Sequence, residues 1–282
     1  MEHIKRLLSY TRRALADYDM IRPGDKIAVG VSAGKDSLTL LCALAHLRRF
    51  YPVPFEVVAV TVDMGFAGGM DFSGIQRLCD ELGVEYHIVP TDIYKVIFEI
   101  RKESNPCALC AKMRRGALNN YAKSIGCTTV ALGHHFDDVV DTFMLNLFFE
   151  GRIGCFQPVT DLSRVGIRVI RPLIYMPERH VKDFARKVEL PVIESPCPAD
   201  KNTQREEMHN LINELDRKNK GLRYRIYGAI QRGEVDGFKP VGGMTGIGVP
   251  AQRSKSSRLN CSSRACADGL YKPNISFGRR KP

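Results

Sequence analysis

Short apolar segments rich in β-branched residues alternate with longer segments of helical spacing along most of this 282-residue chain. The apolar segments are residues 26–31 (KIAVGV), 55–63 (FEVVAVTVD), 85–90, 128–133 and 166–171. This alternation predicts βαβ units, whose right-handed crossovers place helices on both faces of a parallel sheet. We therefore expect an α/β fold, in which ligands bind at the carboxyl ends of the strands.

Helices are expected in the intervening segments, at residues 1–20, 38–50, 71–82, 91–102, 112–125, 137–149, 177–188 and 203–220. We expect an N-terminal helix within residues 1–23, a main domain over residues 24–222 and a basic C-terminal extension over residues 223–282. After about residue 240 the sequence is rich in Gly, Ser, Arg and Lys and lacks hydrophobic periodicity, which predicts a flexible, disordered tail.

The chain is basic, with a formal net charge of +11, and residues 251–282 carry +7 of it. A basic balance favours an anionic partner such as nucleic acid. We find no signal peptide, and no apolar run approaches the roughly 20 residues that a membrane-spanning helix needs. We therefore expect a cytoplasmic protein with no membrane partner, whose nine cysteines are reduced, metal-bound or catalytic.

A loop of small and polar residues joins the first predicted strand to the next helix. It reads Ser32-Ala33-Gly34-Lys35-Asp36-Ser37. Small side chains let backbone N–H groups approach an anion, and the helix N-terminus adds a partial positive charge. The loop lacks the G-x-x-x-x-G-K-[ST] pattern of the common NTPases. It favours a phosphate site, and a tight turn with a serine cap is the alternative.

A second polar group follows the strand predicted at residues 128–133. Gly133 and His134 precede a helix that begins with Asp137 and Asp138 and continues with Asp141. Carboxylates in the first turns of a helix are favoured by its dipole, and with phosphate oxygens they can hold Mg²⁺. Asp63 ends the second predicted strand and is expected near the same edge of the sheet. An acidic helix cap after a hydrogen-bonded histidine pair is the alternative.

Three cysteines lie in segments rich in turn residues. Cys107 and Cys110 form a C-x-x-C motif before a predicted basic helix, and Cys197 stands between two prolines. A C-x-x-C motif occurs in zinc sites, redox pairs and cluster sites. Three thiolates leave one metal position open for a substrate sulfur, whereas four would suit structural zinc. Reduced structural thiols or zinc are the alternative.

The two polar motifs resemble those of the N-type PP-loop ATP pyrophosphatases. Residues 32–37 are similar to the SGGxDS loop of that family, and residues 132–146 are similar to its LGHHxDDxxxTxxxN signature. Ala33 replaces a usual glycine, which is tolerable if its φ is negative. The resemblance implies an adenine nucleotide α hydrolase-like, Rossmann-like sheet and cleavage of ATP between its α and β phosphates.

The cysteine motif, with the Arg171-Pro172-Leu173 segment, resembles the tRNA 2-thiocytidine synthetases, over residues 3–217. The resemblance implies ATP, Mg²⁺ and a [4Fe–4S] cluster as cofactors, the cluster being held by Cys107, Cys110 and Cys197. It implies catalytic roles for Lys35, Asp36 and Asp138. It implies that the nucleotide is bound by Ser32, Ala33, Gly34, Lys35, Asp36, Ser37, Asp63, Gly133, His134, Asp137 and Asp138. It also implies tRNA as partner and a cysteine desulfurase as sulfur donor, and it leaves a homodimer open.

Two basic segments are candidate RNA contacts. The first comprises Lys112, Arg114 and Arg115, and the second spans residues 217–225, with Tyr224 and Tyr227 interleaved or nearby. Basic side chains can hold phosphates while aromatic rings stack on bases. The alternative is that both segments are solvated helix faces.

The function that the resemblance implies is ATP-dependent thiolation of tRNA. The O2 atom of a cytidine in the anticodon loop would be adenylated with release of pyrophosphate, and sulfur would then displace AMP to leave 2-thiocytidine. A related PP-loop sulfurtransferase acting on uridine or another substrate would carry the same motifs. A non-catalytic nucleotide-sensing module with structural zinc is the alternative from a different class.

Overall fold

The computed structural model describes residues 2–102, 106–197 and 204–241. Its helices are α1 (Glu2–Asp17), α2 (Lys35–Leu47), α3 (Ser73–Leu82), α4 (Pro106–Ser124), α5 (Phe136–Phe149), α6 (Glu178–Lys187), α7 (Gln204–Lys218) and α8 (Leu222–Arg232). Its strands are β1 (Asp25–Gly30), β2 (Phe55–Asp63), β3 (Glu85–Pro90), β4 (Thr129–Ala131), β5 (Val159–Leu162) and β6 (Ile167–Ile170). A π-helical turn spans Lys95–Ile100, and a 3₁₀ turn spans Val235–Gly237. Within these described ranges, no helix has the length and apolar character needed to span a membrane.

The strands form one sheet in the order β3-β2-β1-β4-β6-β5. The first five of these strands pair in parallel, whereas β5 pairs antiparallel with β6 at the edge. The predicted α/β fold is confirmed, with a mixed sheet in place of a wholly parallel one. The strand order reverses between β1 and β4, so the loops after these two strands meet at the carboxyl edge, where such sheets bind ligands.

Alternate residues of the central strands face two different layers of helices. Ile27 and Val29 of β1 belong to the larger core, which includes residues of α1, α2 and α6. Ala28 lies on the opposite face and packs with Leu118 and Ala122 of α4. Because both faces of the sheet are covered, the central strands consist of nearly continuous apolar residues.

Helix α8 packs into the larger core, although its residues were assigned to the basic extension from the sequence. Tyr227 and Ile230 of α8 are buried, as is Phe238 after the 3₁₀ turn. The Tyr227 ring stacks on Phe136 at a centroid distance of 4.7 Å. The helical period therefore directs the apolar residues of this basic segment inward. The predicted tail from residue 242 onward lies outside the described residues.

Candidate active site

The loop between β1 and α2 folds around the hydroxyl group of Ser37. Ser37 Oγ accepts hydrogen bonds from the backbone N–H of Ser32 at 3.0 Å and from Ser32 Oγ at 3.2 Å. It donates to the carbonyl oxygen of Gly34, the N-cap of α2, at 2.9 Å. These bonds hold the loop at the N-terminus of a helix, where an anion is favoured.

Ala33 adopts a left-handed backbone conformation, with a φ of 63°. The condition under which its methyl group was expected to be tolerable, a negative φ, is therefore not met. A residue with a Cβ atom in this region costs about 1–2 kcal/mol, which explains why glycine is the usual residue here. The conformation is held because the Ala33 methyl is buried and its carbonyl accepts a hydrogen bond from the Ile193 N–H at 3.0 Å.

Gly133 brings the loop after β4 against the start of α2. A Cβ atom at this position would lie 3.0 Å from the carbonyl carbon of Asp36 and 3.0 Å from the backbone nitrogen of Ser37. Backbone atoms cannot move aside as the end of a flexible side chain can, so this approach requires glycine. The second sequence motif therefore meets the first through direct backbone contact.

Lys35 is held by two carboxylates. Its Nζ lies 3.0 Å from Asp36 Oδ2 and 3.2 Å from Oε1 of Glu178, the first residue of α6. Burial lowers the pKa of Lys35, but the charges of Asp36 and Glu178 outweigh this effect and raise it. Burial raises the pKa of Glu178, but hydrogen bonds and charge from Lys182 and Lys35 bring it down to about 2. Glu178 is therefore ionised at neutral pH, and sequence reasoning had not singled it out.

Asp138 combines a capping role with a position at the site. The His135 N–H donates to Asp138 Oδ2 at 2.8 Å, and the Asp138 N–H donates to His135 Nδ1 at 3.4 Å, which caps α5 reciprocally. Asp138 Oδ1 lies 3.4 Å from the guanidinium of Arg205 on α7. Burial raises the pKa of Asp138, and the charges of His135 and Arg205 oppose that rise.

Asp137 and Asp141 make structural contacts instead of joining Asp138 at the predicted metal site. Asp137 Oδ2 accepts a hydrogen bond from the Glu178 N–H at 2.7 Å, and its Oδ1 lies 3.4 Å from Nε of Arg223. Asp141 Oδ1 lies 2.8 Å from the same guanidinium, and Asp141 Oδ2 lies 2.7 Å from His209 Nδ1. These buried contacts join α5 to α6, α7 and α8. Arg223 is therefore part of the core and does not face RNA, contrary to the sequence interpretation.

A cavity of about 580 Å³, here called the nucleotide cavity, opens between the loops that follow β1 and β4. Its charged lining consists of two carboxylates and four guanidinium groups, from Asp36, Asp138, Arg114, Arg115, Arg171 and Arg205. Ser32, Ser37, Gly133 and His134 also line it. The volume is typical of small-molecule sites, and the mixed charges suit a polyphosphate with its metal ion. Asp36 Oδ1 is buried without a hydrogen-bond partner, so this oxygen fits Mg²⁺.

His134 forms part of the cavity wall as a neutral ring. Burial, reinforced by the charges of Arg171 and Arg205, lowers the pKa of His134 to about 3. The His134 ring packs on Phe156 at 4.8 Å, and the Arg171 guanidinium lies 5.1 Å from the centroid of Phe156. His134 Nδ1 and Arg171 Nε are buried without hydrogen-bond partners. Buried polar atoms of this kind call for a ligand or water that completes their hydrogen bonds.

The three predicted cluster ligands line a second cavity of about 230 Å³, here called the cysteine cavity. Cys107 and Cys110 lie in the first turns of α4, not in a loop as predicted, and Cys197 lies in the segment after α6. Burial raises the pKa of Cys110, and the positive charge of Arg114 opposes that rise. The thiols of Cys197 and Cys107 raise the same pKa further, so both lie close enough to Cys110 to affect its ionisation.

The three thiols suit a [4Fe–4S] cluster, because they line one cavity and such clusters are held by cysteine thiolates. Within the described residues, no group of three or more His, Cys, Asp or Glu side chains is arranged to hold a single metal ion.

The two cavities adjoin each other. Ser32, Val62, Ala111 and Arg114 line both of them. Arg114, which was predicted to contact RNA, therefore stands at their junction, and Arg115 lines the nucleotide cavity. A nucleotide bound in one cavity would lie beside the thiols of the other.

Some predicted site residues lie outside the lining of both cavities. Lys35 and Asp137 are held by the contacts described above. Asp63 Oδ1 accepts a hydrogen bond from the Gly65 N–H at 3.1 Å and so stabilises the turn after β2. Lys112 is exposed on α4. Arg171 and Arg205 show the converse, because both line the nucleotide cavity although sequence reasoning assigned them no role.

Comparisons with known proteins give a consistent result. The PP-loop domain profile matches residues 5–215. A tRNA-cytidine(32) 2-sulfurtransferase of Geobacter sulfurreducens is 41% identical over 229 residues, which are 80% of this chain and 89% of that protein. A protein of the same name from Pseudomonas putida is 40% identical, over 80% of this chain and 83% of its own length. The solved structure of a U34-tRNA thiolase from Methanococcus maripaludis, with its [4Fe–4S] cluster, is 28% identical, has a TM-score of 0.68, and covers 82% of this chain and 78% of that one.

Proposed function

Because the chain belongs to the PP-loop domain family, we propose that it is an ATP-dependent tRNA sulfurtransferase that converts a cytidine of tRNA, at position 32 as in its named relatives, to 2-thiocytidine. The observation that carries the proposal is the contact between the two cavities. One is lined by the phosphate loop, and the other is lined by Cys107, Cys110 and Cys197. Adenylation of a base and its thiolation require such neighbouring sites.

The nucleotide cavity supplies the residues for adenylation. The four arginines neutralise phosphate oxygens and stabilise the charge that develops when the cytidine O2 attacks the α phosphate and pyrophosphate leaves. Asp36 and Asp138 would hold Mg²⁺ beside these oxygens, since both carboxylates line the cavity and Asp36 Oδ1 lacks a hydrogen-bond partner. Lys35 clamps the other oxygen of Asp36 and thereby orients that carboxylate.

The cysteine cavity supplies the residues for sulfur transfer. Cys107, Cys110 and Cys197 would hold a [4Fe–4S] cluster, whose chemistry is to bind sulfide at the iron that carries no cysteine. Arg114 lies between the two cavities and places a positive charge where sulfur, as an anion, approaches the activated C2 and AMP departs. We further propose a cysteine desulfurase as sulfur donor and a homodimer as the working assembly, both on family resemblance.

A second candidate substrate is uridine, because the solved structure of similar fold is a U34-tRNA thiolase. Both reactions would use the same phosphate loop and the same three cysteines. Nucleoside analysis of tRNA from a deletion strain separates them. Loss of 2-thiocytidine supports the proposal, and loss of a thiouridine with 2-thiocytidine retained contradicts it.

The test of the mechanism compares carboxylates inside and outside the cavity. Asp36→Asn and Asp138→Asn should each lower tRNA-dependent pyrophosphate release by about 100-fold or more, because a lost metal ligand costs several kcal/mol in the transition state. Asp63→Asn is the matched control, since Asp63 ends a neighbouring strand but lines neither cavity. Equal rates for all three variants would contradict the assigned site.

A further inference from the structure

One chain segment, whose two ends both line the nucleotide cavity, carries exposed apolar side chains between them. Thr142 of α5 and Phe156 both line the nucleotide cavity. Between them, Phe148 is 60% exposed, Phe149 is 54% exposed and Ile153 is 71% exposed. We call these three residues the apolar tip. Phe149 follows Thr142 by seven residues on α5, so the tip lies about 10 Å along the helix from the cavity wall.

The apolar tip is held in place by hydrogen bonds at its base. Asn146 Nδ2 donates to the carbonyl oxygen of Gly154 at 2.9 Å, and the Arg152 N–H donates to the carbonyl oxygen of Asn146 at 3.0 Å. The Cys155 N–H donates to Asp236 Oδ2 at 2.6 Å. The exposed rings are therefore presented by an ordered backbone. Apolar side chains kept together in water in this way mark an interaction surface.

We infer that the apolar tip binds the single-stranded part of the RNA substrate, with its rings stacked on bases next to the target nucleotide. This inference rests on the proposed function. Proteins recognise single-stranded RNA by stacking bases on aromatic rings beside basic side chains. Both kinds of group are present, since Arg115 and Arg205 are exposed where they line the cavity.

The spacing along α5 fits a short run of nucleotides. Phe149 lies seven residues after Thr142, on the same helical face and about 10 Å further along the axis. Stacked nucleotides repeat every ~3.4 Å. If the target base lies in the nucleotide cavity, a base about three nucleotides away in the same strand would therefore reach the rings of the tip.

A second copy of the chain fits this surface less well. A stable dimer interface takes roughly 20–30 residues from each partner, whereas the segment offers the three side chains of the tip and Leu147, which is 40% exposed. The nucleotide cavity that the segment borders is lined by four arginines, whose charge is complementary to that of a polyanion.

The test uses the full chain and an RNA hairpin with the sequence of the anticodon stem and loop, with affinity measured by fluorescence anisotropy. Phe149→Ala should weaken binding about 5- to 150-fold, the range for one stacked base. Phe149→Leu should weaken binding similarly, because leucine is apolar but cannot stack, and Phe149→Trp should retain it. The salt dependence should keep its slope, since no phosphate contact is lost. Phe50→Ala is the matched control, because Phe50 is 59% exposed beyond the far end of α2.

Equal RNA affinities for the wild type, Phe148→Ala and Phe149→Ala would overturn the inference. Full affinity in Phe149→Leu, combined with loss of a dimer by Phe149→Ala in light scattering, would overturn it in favour of a second copy. If Phe149→Ala weakens RNA binding but the wild type releases no pyrophosphate and thiolates no tRNA, the inference stands and the proposed function fails.

Discussion

Replacement of Arg223 by alanine tests the correction that the structure makes to the sequence interpretation. The Arg223 guanidinium lies 2.8 Å from Asp141 and 3.4 Å from Asp137, and it also donates to Asn213 Oδ1 at 2.9 Å. Arg223 is 6% exposed, and Asp141 is 3% exposed. Truncation of Arg223 would leave the carboxylates of Asp137 and Asp141 buried without their main positive partner, so their negative charges would be largely unpaired.

The expected loss of unfolding free energy is about 3–5 kcal/mol, the cost of breaking a buried ion pair from one side. For a protein of this size each kcal/mol corresponds to about 2–4 °C, so the melting temperature should fall on the order of 10 °C. RNA affinity measured well below that temperature should be unchanged, because the side chain does not reach the surface.

Thermal unfolding of Arg223→Ala and Arg225→Ala, followed by circular dichroism, separates the core role from the RNA role. Arg225 lies two residues further along α8, is exposed, and donates hydrogen bonds to the carbonyl oxygens of Lys220 and Asn219. Its replacement should cost about 1 kcal/mol or less. A normal melting temperature for Arg223→Ala together with weakened RNA binding would refute the assignment of Arg223 to the core.

Three further predictions follow from the cysteines, from His209 and from the tail. Cys107→Ala, Cys110→Ala and Cys197→Ala should each remove the brown colour of anaerobically purified protein and stop thiolation, while ATP binding persists. Cys127→Ala is the control, because Cys127 is buried elsewhere in the core. Stoichiometric zinc without iron in the wild type would contradict the assignment. The hydrogen bond to Asp141 raises the pKa of His209 above 6.5, so its stabilising effect is full below that pH and is lost as pH rises through the raised pKa. The difference in unfolding free energy between wild type and His209→Asn should therefore shrink as pH rises above about 6.5, and a constant difference would refute this. Deletion of Ala251–Pro282 should leave the melting temperature nearly unchanged and reduce the log–log salt slope of tRNA binding by roughly 0.7 for each lost phosphate contact, whereas identical slopes would show that these residues do not touch RNA.

The position of the site was predictable from the sequence, because it depends on local patterns. A buried strand followed by a small-residue loop and a helix places Ser32–Ser37 at the carboxyl edge of the sheet, and the same reasoning places Gly133. The roles of the three acidic residues on α5 were not predictable. Asp137, Asp138 and Asp141 look equivalent in the sequence, and their partners Glu178, Arg205 and Arg223 lie 41 to 82 residues further along the chain.

Two other errors have a local physical cause. The turn-rich sequence around Cys107 predicted a loop, but Pro106 is the first residue of α4, a position where proline costs no hydrogen bond. Among the basic residues of 217–225, which were expected to form a solvated or RNA-binding surface, only Arg223 is buried. The segment continues into a helix that the sequence interpretation missed, with Tyr227 and Ile230 buried at helical spacing. In both segments the turn-forming or charged residues were more conspicuous in the sequence than the apolar residues at helical spacing.

The contacts between the end of α1 and residues 231–241 have a consequence for how the protein is made. Gln231 Nε2 donates to the Tyr18 hydroxyl at 3.2 Å, and the Val241 N–H donates to the carbonyl oxygen of Asp17 at 2.7 Å. These contacts join residues more than 200 positions apart, so on a ribosome that adds about 5–20 residues per second the Tyr18 side chain waits roughly 10–45 s for its partners. Until then Tyr18 and Tyr175 lack the aromatic contacts that Tyr227 and Phe238 provide. A chain that ends shortly before residue 222 would never gain these contacts, and its exposed rings would be open to chaperones and proteases.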